Sequence, residues 1–325
     1  DSSTPFKGTF DGNGHKITGL KITSGSYIGL FGYVGEGATI KNVNLVGANV
    51  FGVKRVGALI GQIKGNATVS NCTVDSTSHI TGSDSNTGGL IGEAAGGITV
   101  KLEKLINYAT VTNTENNGTS RAAGIIAQVT SGANVTTTKC VNNGAITTNN
   151  GYAGGIVAAK QGGSKVSFEN CSNAGTLTGN YTGNLIAWLV GGNWLSMTNS
   201  GDARDAIGAV NICRGNQAYT FYFTIDGEEY YLRKLGATED SDARFSELWD
   251  RKQTINRAYM DRIIAFFAYA KGQNPNFANY PSDRAELFGY GWNTSDYTKM
   301  DNMFGAEGWP ELLSGYNADK KDSLS

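Results

Sequence analysis

Short apolar runs fenced by glycine or asparagine recur along the first two-thirds of the chain. They are "IGLFGYVGEG" (28–37), "GALIGQIKGN" (57–66), "GGLIGEAAGG" (88–97), "AGIIAQVTSG" (123–132), "GGIVAAKQGG" (154–163) and "GNLIAWLVGG" (183–192). Aligned on Gly29, Ala58, Gly89, Gly124, Gly155 and Asn184, they step by 29, 31, 35, 31 and 29 residues. A second column, Val43, Cys72, Leu105, Cys140, Cys171 and Met197, keeps pace. Asn107, Asn142, Asn173 and Asn199 follow two positions later, and Gly47, Ser76, Ala109, Gly144, Gly175 and Gly201 form a further column. Columns recurring together at a period near thirty mark a stacked repeat.

The apolar runs are short and rich in Ile, Leu and Val, and "ATVTN", "GAITTN" and "GTLTGN" alternate at period two. These are strand signals, and no stretch before residue 214 holds a helical period over ten residues. Ankyrin-like and TPR-like repeats are therefore excluded. The fold expected for 1–213 is a right-handed parallel β-helix of about six to seven coils, with like side chains stacked at roughly 4.8 Å. The asparagine column predicts amide bridges from coil to coil. The cysteine column reads as free, buried thiols, because Leu, Val and Met share it. "DGNG" (11–14) predicts a tight turn between strands, with His15 in a structural role.

"PFKGTFDGNGHKITGLKI" (5–22), followed by copies of G-G-L-I-G and N-C-x-x-x-G, resembles the GLUG-type repeat of adhesin-like cell-surface proteins of gut bacteria. The same repeat occurs in non-catalytic N-terminal regions of some immunoglobulin A peptidases. The likeness covers about residues 5–213 and implies a β-helix at an extracellular location, without specifying a ligand. The appearance of "GTFDGNGH" at residue 8 suggests that the chain is a fragment.

After Cys213 the period stops, and residues 214–325 hold 21 of the 33 aromatic residues, so this part is read as a separate capping or accessory region of α+β type. "YTFYFTIDGEEYYLRKLG" (219–236) predicts a hairpin around Asp226-Gly227. "ARFSELWDRK" (243–252) predicts a short helix, and "TINRAYMDRIIAFFAYAKG" (254–272) a longer amphipathic one. Tyr290, Trp292, Tyr297 and Trp309 stand among Asn and Asp in loop-like sequence and are the candidate ligand-binding residues, since flat rings with nearby carboxamides suit sugars.

A net charge of −1 supplies no field for nucleic acid or an anionic membrane, and no apolar run is long enough to span a bilayer. Only His15 and His79 are histidines, and HExxH, GxSxG and paired Cys-x-x-Cys are missing, so no catalytic residue, metal site or cofactor is assigned. The carboxylates Asp11, Glu36, Asp75, Asp84, Glu93, Glu103, Glu115 and Glu169 are read as falling in different columns. Thr-rich outward segments such as "NVTTTKC" (134–140) are expected to form a neutral, hydrogen-bonding face, with steps of 29 to 35 too irregular for the fixed threonine intervals of an ice binder. The expected function is a monomeric, adhesin-like binder of host or dietary glycan or of a host surface protein. The alternative is a β-helix polysaccharide lyase or glycoside hydrolase.

Overall fold

The computed structural model describes residues 2–190, 194–211, 213–214, 217–218, 220–233, 242–246 and 254–256. It is a parallel β-solenoid of seven rungs. Phe31, Ile60, Ile91, Ile126, Val157, Ile186 and Ile207 stack in register, one per rung. Each full rung visits four faces in chain order, illustrated by Ala67–Val74 on face 1, His79–Gly82 on face 2, Asn86–Gly88 on face 3 and Ile91–Ala94 on face 4.

One continuous core runs up the bore, and Ile40, Val50, Val56 and Ile60 show how every face contributes to a single rung of it. Fully burying each such side chain contributes about 1.5–3 kcal/mol, so the core carries the fold. Cys72, Cys140 and Cys171 are free and buried within it. Burial pushes the Cys72 thiol up to about 11. Cys171 beside it, together with burial, holds the Cys140 thiol well above its ordinary range.

The asparagine column forms the expected bridges. Asn107 Nδ2 donates to Asn142 Oδ1 at 2.8 Å, and Asn142 Nδ2 to Asn173 Oδ1 at 2.7 Å. The next partner is Asn184 Oδ1 at 3.1 Å, not Asn199. Met197 stacks on Phe168 rather than on Cys171, which instead receives Ser200: Cys171 N donates to Ser200 Oγ. The small-residue column also begins differently. Ala48 N donates to Ser78 Oγ, and Asn49↔His79 and His79↔Thr110 set Ala48, Ser78 and Ala109 in one line. The loop at Asp75 absorbs the offset that places Ser76 two positions early.

A corner of the solenoid is held by eight residues with φ between 46° and 57°: Asn13, Asn42, Asn71, Lys104, Lys139, Asn170, Asn199 and Asp226. Asparagine and aspartate tolerate this left-handed conformation best, which accounts for six of the eight. The strands on either side of the Asn13-Gly14 turn, Thr9–Asp11 and Lys16–Thr18, do not pair with each other. Each pairs with the next rung.

The hairpin around Asp226-Gly227 is present. Thr220–Ile225 pairs antiparallel with Glu228–Arg233 and also lies parallel on Trp194–Thr198, extending face 1. Where the short helix was expected to begin, Asp242–Arg244 is a strand antiparallel to Ile207–Asn211. The first residues of the expected long helix, Thr254–Asn256, are likewise a strand, antiparallel to Glu228–Arg233. Open strand edges recruit the first residues of both segments. Phe245 and Ser246 are helical, as expected, and the remainder of both expected helices lies outside the described residues.

Candidate functional site

Faces 3 and 4 meet in a tight crease. A Cβ at Gly92 would lie 2.5 Å from the carbonyl carbon of Arg55, so the two strands close on each other with almost no space between their backbones. Two columns fill the mouth of the crease. Tyr27, Arg55, Asn86, Arg121, Tyr152 and Tyr181 come from face 3, and Tyr33, Gln62, Glu93, Gln128, Ala159, Trp188 and Ala209 from face 4.

Glu93, only 3% exposed, is the centre of the polar part. It accepts from Gln62 Nε2 at 2.6 Å and from Asn86 Nδ2 at 3.0 Å. Arg55 Nε lies 2.8 Å from Glu93 Oε2, a charge contact rather than an aligned hydrogen bond. Burial works against the Arg55 charge, but Glu93 more than offsets it and holds the guanidinium protonated. Arg55 also lies over the Tyr27 ring, 4.8 Å from its centroid, and Tyr27 stacks on Tyr33.

Further along the crease, Arg121 reaches Asn86 Oδ1 at 3.3 Å and lies over the Trp188 ring at 5.2 Å. Burial lowers its pKa, and its Nε has no hydrogen-bond partner among the described residues. Tyr152 stacks between Trp188 and Tyr181, at centroid distances of 4.8 and 5.3 Å. Asp242, on the returning strand, accepts from Tyr152 Oη at 2.6 Å and from Trp188 Nε1 at 3.1 Å. Burial, then Asp242, pushes the Tyr152 phenol far up, so it stays a donor. The crease is a packed, largely self-paired seam rather than an open groove, with Arg121 Nε left without a hydrogen bond among the described residues.

Faces 1 and 2 present regular outward columns. Thr9, Thr39, Thr68, Lys101, Thr136, Ser167, Ser196 and Thr224 are in register on face 1, and Thr81, Thr112, Thr147 and Thr178 on face 2. The irregular sequence steps are absorbed in loops, so these columns stay in register from rung to rung, with Lys101 among the hydroxyls of face 1. The carboxylates also need correction, because Asp11, Glu103 and Glu169 share one column. Lys41 and Ser70 separate the first two, and Thr138 separates Glu103 from Glu169. Asp11 is paired with Lys41 at 3.2 Å.

Tyr290, Trp292, Tyr297 and Trp309 lie outside the described residues. His15 and His79 are exposed and occupy different rungs. The sequence reading missed the crease, although its columns stand at constant offsets, three before and four after the aligned column, on all but the first rung.

No family model matches the chain. A protein of Evansella cellulosilytica described as a Gly-rich membrane protein is 39% identical over 79 residues, 23% of this chain and 9% of that protein. Halomucin of Haloquadratum walsbyi is 36% identical over 90 residues, 27% of this chain and 1% of halomucin. The chain therefore spans a small fraction of these relatives' length. A crystal structure described as an immunoglobulin A1 protease of Bacteroides ovatus aligns with a TM-score of 0.52 and 22% identity, over 72% of this chain and 65% of that one. That likeness supports the solenoid fold alone. Among the described residues, no helix is long and apolar enough to cross a membrane.

Proposed function

We propose that the chain is a non-catalytic, adhesin-like module of a bacterial cell surface that contacts host or dietary glycan or a host surface protein. The observation that carries this reading is the use of charge in the crease. Its central carboxylate is engaged by Arg55, Gln62 and Asn86, and Asp242 by Tyr152 and Trp188, which supports a structural use for both groups. The ordered outward columns of faces 1 and 2, mostly hydroxyl-bearing with Lys101 among them, give a rigid polar surface that supports a contact role. The descriptions of the relatives as a membrane protein and as halomucin agree with a surface role.

A glycan-array screen of the whole chain tests the reading, with Trp292→Ala and Trp309→Ala tested alongside. Saturable binding that these substitutions abolish, with the melting curve unchanged, supports it. Release of new reducing ends or unsaturated products from an extracellular polysaccharide would replace it with the enzyme alternative.

A further inference from the structure

The seventh rung is cut short. Sixteen residues separate Glu169 of face 1 from Ile186 of face 4 on the sixth rung, but only eight separate Thr198 from Ile207 on the seventh. That leaves no length for strands on faces 2 and 3, and the four-residue helix Ala203–Ala206 stands in their place. Two inward columns are consequently opened at their ends. Val50, Ile80, Val111 and Ile146 are fully buried, whereas Leu177, next in line, is half-buried. Val56, Thr87, Ala122 and Ala153 are fully buried, whereas Thr182 above them is exposed.

A cavity of about 260 Å³ occupies this notch, lined by Leu177, Thr182, Asn184, Arg204, Asp205 and Arg244 among others. Gly183 O accepts from Gly155 N on the rung below, and strand alternation then turns the N–H and C=O of Thr182 toward the missing rung. A Cβ at Gly208 would lie 2.7 Å from the Thr182 carbonyl oxygen. The return to glycine there, after Ala127, Ala158 and Ala187 at the equivalent positions, keeps that oxygen reachable.

The lining chemistry narrows the ligand. A backbone donor and acceptor on one residue, with the Thr182 hydroxyl and the Asn184 amide, match hydroxyl groups, which both donate and accept. Among the described lining residues, Arg204 and Arg244 supply guanidinium groups, whose forked donors match a carboxylate. The volume is that of one sugar ring rather than a chain segment. Leu177–Thr178 and Tyr181–Gly183 are edge strands facing the notch, so an extended peptide is the competing occupant that the tetrapeptide arm of the test distinguishes.

We propose that this notch binds a single carboxylate-bearing pyranose, the end or branch residue of an acidic polysaccharide. It shares its ligand class with the glycan-contact reading but uses different residues from Trp292 and Trp309, so either can fail alone.

The test is an NMR titration of the isotope-labelled whole chain with D-glucuronate, D-galacturonate, D-glucose and an acetylated acidic tetrapeptide. The expected result is saturable binding of at least one uronate, with shifts at the Thr182 and Gly208 amides. D-glucose should bind at least about tenfold more weakly, and Arg244→Gln and Arg204→Gln should each weaken the uronate by about tenfold, with unchanged melting. Lack of saturable uronate binding, equal binding of glucose, preference for the peptide, or indifference to both arginine variants would each overturn the proposal. Failure here, with array binding lost on Trp292→Ala and Trp309→Ala, would leave the glycan-contact reading standing.

Discussion

Gly124 and Asn142 compete for one space: a Cβ at residue 124 would fall 2.4 Å from Asn142 Cγ and 2.3 Å from the carbonyl oxygen of Gly155. Gly89 and Asn107 are related in the same way, as are Gly155 and Asn173. The glycine column and the asparagine column are therefore one device, in which missing side chains on one strand admit a stack of amides from another. Gly124→Ala is expected to cost about 1–3 kcal/mol through overpacking. Hydrogen exchange should locate the loss in the fourth and fifth rungs, and unchanged protection there would contradict the coupling.

Asn142→Leu tests the other half of that device. The substitution keeps the number and branching of the side-chain heavy atoms but strips Asn107 Nδ2 of an acceptor and Gly144 O of a donor. A destabilisation of about 1–3 kcal/mol is expected in urea unfolding. A variant as stable as the parent would show that the amide ladder is incidental.

In the crease, Glu93→Leu should cost about 2–4 kcal/mol, because it leaves Arg55, Gln62 and Asn86 without their shared acceptor. Adding Arg55→Met should recover part of that loss, since the stranded charge is then removed. A double-mutant cycle measures the coupling, and strict additivity would mean that the two residues do not act as a pair.

Lys160 stands in the inward column between Val129 and Leu189 and is 1% exposed. Burial lowers its pKa to about 7. The unfolded chain, where lysine titrates near 10.5, then binds more protons than the native state between these two values. Stability should rise with pH across that window, and the cost of the buried charge should be fully present below about pH 7. Lys160→Met is expected to raise the melting temperature at pH 7 and to flatten its dependence between pH 7 and 10. An unaltered pH slope would place the titration elsewhere.

The stacked core was readable because each inward side chain meets its own counterpart one period away, which turns a three-dimensional contact into a column of like residues. Ile60, Ile91 and Ile126 illustrate this. Where a loop changes length, the column is kept in space but lost in a simple alignment, which is why Met197 was set on Cys171 instead of Phe168. The crease was harder to see because its contacts join unlike residues from different rungs and faces: Arg55 meets Glu93, and Tyr152 meets Trp188. Asp242 was illegible for a further reason. It joins the crease through an antiparallel return strand that no repeat announces.

In-register parallel stacking is the claim on which the rest depends, and disulfide trapping on face 1 tests it most directly. Thr136 and Ser167 are register partners on adjacent rungs, with backbones roughly 4.8 Å apart, within the range a disulfide spans. Under mild oxidation, Thr136→Cys with Ser167→Cys should link nearly quantitatively within one chain, as mapped by peptide mass spectrometry. Thr68→Cys with Ser167→Cys, three rungs apart, should not. A linked Thr68/Ser167 pair beside an unlinked Thr136/Ser167 pair would contradict the solenoid.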